Sequence, residues 1–95
     1  MKKLRVIQIG TGNWGFSWLE KVMQSPAAEL AAVVDANPDM LKIAAEKYEL
    51  DPEKCFLSLA EAVSRIQADA ALVIVPPALH KDVAIEALKA GLHCL

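Results

Sequence analysis

Apolar residues recur along this chain in two alternating rhythms. Short continuous runs, rich in β-branched residues, are separated by longer stretches in which apolar positions return every three or four residues. The runs at 4–9, 30–34 and 70–75 predict strands, and the unbroken hydrophobicity of the last two fits strands covered on both faces. A weaker run at 55–57 and the start of another at 93–95 complete a set of five. Between them, 13–24 predicts a helix with Phe16, Leu19 and Met23 as its apolar stripe, ending before Ser25-Pro26. A second helix starts at Asn37-Pro38, an N-cap residue followed by a proline, with Asp39 complementing the dipole. Its apolar face is Leu41, Ala44, Ala45 and Tyr48. Residues 51–54 read as a polar turn. Ser58 and Glu61 form a capping-box pattern, and Leu59, Ala62, Val63 and Ile66 give that short helix its face. Pro76-Pro77 stops the strand before it, since proline lacks the ladder donor. The last helix, 78–90, is closed by Gly91 as a left-handed C′ residue.

Strands alternating with helices at these lengths predict a parallel sheet with right-handed crossovers. The expected fold is therefore α/β, a Rossmann-type doubly wound sheet in strand order 3-2-1-4-5 with helices on both faces. Ligands in such sheets bind beyond the carboxyl ends of the strands, where the order reverses. That places the loop at 10–15, Asp35 and the segment Val75-Pro76-Pro77 at one crevice.

Those segments carry the chemistry. Gly10-Thr11-Gly12-Asn13-Trp14-Gly15 follows a strand and opens a helix. Gly10 permits the tight turn, Gly12 lets a pyrophosphate approach the backbone, and Gly15 lets the helix pack closely on the sheet. The helix N-terminus adds unpaired N–H groups and the positive end of the dipole. Asp35 lies 20 positions beyond Gly15, where a carboxylate hydrogen-bonds a ribose 2′-hydroxyl and repels a 2′-phosphate. The expected cofactor is a dinucleotide, NAD rather than NADP. The competing reading is a βαβ turn whose glycines serve packing alone, with Asp35 as a turn or cap residue.

The remaining properties narrow the class. Ninety-five residues allow one domain, and 55% are hydrophobic. A net charge of −2 and a pI near 5.6 give no reason to expect nucleic acid or an anionic membrane as partner. The basic start at Lys2, Lys3 and Arg5 precedes too short an apolar run for a signal peptide. No run approaches a membrane span. Cys55 and Cys94 have neither metal-type nor redox spacing and read as small buried hydrophobes. The simplest localisation is cytoplasmic.

The second half of the chain resembles the glucose–fructose oxidoreductase, inositol dehydrogenase and rhizopine-catabolism family (Gfo/Idh/MocA). The resemblance rests on Val73-Ile-Val-Pro76-Pro77-Ala-Leu-His80 and on Ala84 to Leu95, which contains Ala87-Leu88-Lys-Ala90-Gly91-Leu-His93-Cys-Leu95. The glycine loop, with an aromatic before its third glycine, fits as well. The likeness implies that residues 10–15 wrap the pyrophosphate and Asp35 holds the adenosine ribose. It further implies that Val75, Pro76 and Pro77 line the nicotinamide half, with His80 near it. It implies an NAD(P)-dependent oxidoreductase moving a hydride between nicotinamide and a sugar, cyclitol or related alcohol, the cofactor carrying the chemistry. The family's Glu-Lys-Pro motif, whose Lys is catalytic, and its substrate domain fall beyond Leu95. The chain is thus expected to be an incomplete N-terminal dinucleotide-binding domain that binds nucleotide without catalysing. Trp18 departs from the polar residue or His that many members carry near that position.

His80 and His93 are the only histidines. No nucleophile pairs with them by spacing, and no catalytic residue is assigned. Trp14 reads as a pocket wall, His93 as part of the fifth strand. Two other readings stand beside the main one. One is a free-standing nucleotide-binding or sensor module acting through homo-oligomerisation at the open edge of strand 5. The other is a foldable remnant with no ligand.

Overall fold

The computed structural model describes residues 3–11, 14–75 and 77–94. Five parallel strands form one sheet in the order β3-β2-β1-β4-β5. They are β1 (Leu4–Ile9), β2 (Ala28–Val34), β3 (Cys55–Phe56), β4 (Ala70–Val73) and β5 (His93–Cys94). The helices between them are α1 (Trp14–Gln24), α2 (Pro38–Lys47), α3 (Leu59–Arg65) and α4 (Pro77–Lys89). A single 3-10 turn at Pro52–Lys54 occupies the predicted polar turn, with Asp51 accepting from the Glu53 N–H.

The two faces of the sheet carry different partners. Ile7, Ile9, Ala32, Val34, Ala71 and Val73 pack with Leu59 and Ala62 of α3 and Ala87 of α4. On the other face Val33 packs with Leu19 of α1 and with Leu41 and Ala44 of α2. Val6 and Leu72 pack there with Val22 of α1. Strand period alone would put Leu30 and Ala32 on one face. They lie on opposite faces because the β1–β2 register slips after Val6, whose partner is Leu30, to Ile7, whose partner is Ala32. Ala31 is the extra residue, so the strand bulges and its side-chain phase reverses.

Some element ends differ from expectation for identifiable reasons. Strand β2 begins at Ala28, ahead of the apolar run, because Glu29 pairs across the strands with Arg5 at 3.0 Å. Arg5 also donates through Nε to the Gln67 carbonyl, and its N–H donates to Asp69 Oδ2. Among the described side chains of α1, Leu19 and Val22 are buried while Met23 is exposed; Phe16 of the expected stripe lies outside them. Strand β3 stops at Phe56, leaving Leu57 outside the ladder and exposed, and β4 stops at Val73. Both cysteines are free and half-buried against the core rather than enclosed by it.

The predicted caps form as drawn. Asn37 Oδ1 accepts from the Asp39 N–H and Ser58 Oγ from the Glu61 N–H. Gly91 has φ +84°, and Leu92 N–H reaches back to the Ala87 carbonyl, a Schellman ending that seats Leu92 in the core. No helix among the described residues is long and apolar enough to cross a membrane.

Candidate cofactor site

The carboxyl ends of β1, β2 and β4 meet around a cavity of about 720 Å³. This size falls within the range of small-molecule and cofactor sites. Its described lining includes Gly10 and Thr11 from the end of β1 and Asp35, Ala36 and Asn37 from the end of β2. Ile74 and Val75 come from the end of β4, and Leu79, Val83 and Glu86 from α4. Met40 from α2 and Leu57 and Ser58 beyond β3 close the remaining side.

Backbone bonds hold these strand ends in place. Gly10 N–H donates to the Val34 carbonyl at 2.7 Å, and Ile74 N–H to the Ile9 carbonyl at 2.7 Å. Asp35 N–H donates to the Phe56 carbonyl at 3.1 Å, which ties the acid's backbone to β3. Gly10 adopts φ +101°. A Cβ there would overlap the Ile74 carbonyl oxygen and stand 2.7 Å from its carbon. Glycine is therefore required both by dihedral angle and by the closeness of β4. Below the loop, the fully buried Gln8 side chain donates from Nε2 to the Gly10 carbonyl at 3.0 Å.

Asp35 is held by three donors. Its Oδ2 accepts from Thr11 Oγ1 at 2.6 Å and from Thr11 N–H at 3.0 Å, while Oδ1 accepts from Asn37 N–H at 2.9 Å. Thr11 itself is fully buried. The described lining contains two carboxylates, Asp35 and Glu86, and no lysine or arginine. A 2′-phosphate would find no cation there, whereas a neutral hydroxyl can donate to Asp35. Elsewhere, no three His, Cys, Asp or Glu residues come together as a metal site would need, among the described residues.

The residues singled out from the sequence are distributed as follows. Gly10, Thr11, Asp35 and Val75 converge on the cavity. Gly12, Asn13 and Pro76 lie outside the described residues. Trp14 and Gly15 open α1, and Pro77 opens α4. His80, in the first turn of α4, is exposed and does not line the cavity. Met40, Leu57, Leu79 and Val83 escaped the sequence reading. Their one signal was apolar character just beyond a strand end or in the first two turns of the following helix.

Comparison with known proteins adds an independent line. Residues 4–95 match the model of the Gfo/Idh/MocA family, described as an oxidoreductase family with an NAD-binding Rossmann fold. An uncharacterized protein of Sinorhizobium fredii, y4oX, is 32% identical over 95 residues, covering 96% of this chain and 26% of that protein. An inositol 2-dehydrogenase of Corynebacterium glutamicum is 30% identical over 99% of this chain and 28% of its own length. The chain thus spans about a quarter of the length of these curated relatives. Among solved structures, the WlbA dehydrogenase of Bordetella pertussis, crystallised with NADH and UDP-GlcNAcA, superposes with a TM-score of 0.87 at 30% identity. That match covers 98% of this chain and 28% of the other.

Proposed function

This chain belongs to the Gfo/Idh/MocA family of oxidoreductases, whose N-terminal domain is an NAD-binding Rossmann fold, and on that premise we propose that it is the cofactor-holding part of a dehydrogenase for sugars, cyclitols or related alcohols. The observation that carries the reading is the Asp35 carboxylate, held at the end of β2 in a cavity whose described lining offers no basic side chain. A carboxylate in that setting accepts a ribose 2′-hydroxyl and repels a 2′-phosphate, so NAD is favoured over NADP.

In this reading the loop Gly10-Thr11-Gly12-Asn13-Trp14-Gly15 takes the pyrophosphate, with the start of α1 supplying N–H groups and dipole. Asp35 takes the adenosine ribose. Val75, with Pro76 and Pro77, borders the nicotinamide half, and His80 receives no role. The apolar cavity walls Met40, Leu57, Leu79 and Val83 exclude water from the bound dinucleotide. When bound, NAD supplies the hydride acceptor. The chain's own contribution is binding, orientation and a fixed negative charge at the ribose. The substrate class follows from relatives named for inositol and from one crystallised with a nucleotide sugar acid. In this reading the chain binds the cofactor without itself reducing it.

Calorimetric titration tests the reading. NAD is expected to bind saturably at one site, NADP more weakly, and Asp35→Ala is expected to lower NAD affinity by about tenfold, the loss of one bond to a charged acceptor. Equal affinity of the wild type and Asp35→Ala for NAD, or a wild type that prefers NADP, would contradict it. So would steady NADH formation from NAD and inositol by the chain alone.

A further inference from the structure

Thr11 lies inside the glycine loop, where position alone would assign it to the pyrophosphate. Its side chain does something else. The hydroxyl is directed to the end of β2 and donates to Asp35 Oδ2 at 2.6 Å, while the N–H of the same residue donates to the same oxygen at 3.0 Å. Thr11 is fully buried, so water cannot substitute for the carboxylate as its partner. Its branched Cβ restricts χ1, and the hydroxyl cannot swing away cheaply.

The acceptor count on Asp35 gives this contact a consequence. A carboxylate offers about four acceptor positions, roughly two on each oxygen. Thr11 fills both on Oδ2. Asn37 N–H fills one on Oδ1 at 2.9 Å. One position remains, on Oδ1, and Asp35 lines the cavity. We infer that Thr11 is a positioning residue for cofactor selection: by occupying Oδ2 with two donors it fixes the Asp35 carboxylate so that Oδ1 alone is presented to the adenosine ribose of NAD.

The inference rests on the reading that the cavity holds NAD. It differs from a packing role because it predicts an effect on discrimination and not only on stability. A carboxylate free to rotate still repels a 2′-phosphate, but less strongly once it can turn toward solvent. It also meets the ribose hydroxyl in the right geometry for a smaller share of the time. Removing the hydroxyl therefore weakens NAD and relaxes the bias against NADP together.

The test is a double-mutant cycle read by calorimetry with NAD and NADP, each protein first checked for a cooperative thermal transition. Thr11→Val is expected to raise the Kd for NAD by about tenfold while that for NADP stays level or falls. Thr11→Ser, which keeps the hydroxyl, is expected to stay within about twofold of the wild type for both nucleotides. In the Asp35→Ala background the further change Thr11→Val is expected to alter NAD affinity by less than about twofold, because the group it positions is gone. If Thr11→Val does not fold, Thr11→Ala carries the same expectations. Equal losses for NAD and NADP, or an undiminished loss in the Asp35→Ala background, would overturn the inference while leaving the cofactor reading in place. A wild type that fails to bind NAD would overturn both.

Discussion

Replacing Gly10 with alanine probes the geometry on which the site depends. Two costs combine. The backbone at φ +101° lies where a Cβ is disfavoured by about 1–2 kcal/mol. The new methyl would also overlap the Ile74 carbonyl oxygen and sit 2.7 Å from its carbon, where ordinary contact begins at 3.4 Å. The ends of β1 and β4 must then separate by about an ångström, at the place where Ile74 N–H donates to the Ile9 carbonyl. Losing that bond adds about 1 kcal/mol. The total is about 3 kcal/mol. For a domain of this size that lowers Tm by about 15 °C. Gly91→Ala is the matched control: φ is +84°, but nothing lies within 4 Å of the added carbon. It carries only the conformational cost, about 1 kcal/mol and so about 5 °C. Thermal denaturation followed by circular dichroism measures both. A drop for Gly10→Ala no larger than that for Gly91→Ala would refute the close approach of β4 to the glycine loop.

Two further expectations follow from single contacts. Ser58→Ala removes the cap on the Glu61 N–H at the start of α3. It should destabilise the chain by about 1 kcal/mol, read as a lower urea midpoint with unchanged slope; an unchanged midpoint would count against the cap. Tyr48, the only tyrosine, has its phenol raised above 10.0 by burial and by the Glu20 carboxylate, which accepts its hydroxyl at 2.9 Å. The stability this contributes is fully present below pH 10.0 and is lost as pH rises through the folded value. Titration by tyrosinate absorbance should give a midpoint above 10.0, and Glu20→Gln should bring it down. A wild-type midpoint at or below 10.0 would contradict the contact.

The topology was legible because the apolar runs mark the strands, of which β4 is buried throughout, and because α2 and α3 begin at recognisable caps. Asn37, Ser58 and Gly91 needed no tertiary information to be placed, since capping is a local matter. Where tertiary pairing decides, the linear pattern misled. Glu29 looked like loop and is strand, because Arg5 lies opposite it. The bulge at Ala31 left no mark in a run where every residue is apolar. Met23 matched helical spacing yet faces solvent, because Val22 takes the position against Val6 and Leu72. In the site, Gly10 and Asp35 were readable from motif spacing and reach the same cavity. The bond from Thr11 to Asp35 was not readable, since it joins residues 24 positions apart through a side chain whose direction no pattern specifies. Gln8 was hidden in the same way. A buried polar residue within a mostly apolar strand shows its purpose only when the Gly10 carbonyl is seen beside it.

The most direct test of the central claim is to locate NAD on the chain by amide chemical-shift mapping of isotope-labelled protein. The account predicts saturable shifts grouped at Thr11, Asp35, Ala36 and Val75, the carboxyl ends of β1, β2 and β4. Arg5, Glu29 and Asp69, at the opposite end of the sheet, should stay unmoved. Shifts centred on that opposite end, or none that saturate, would contradict it.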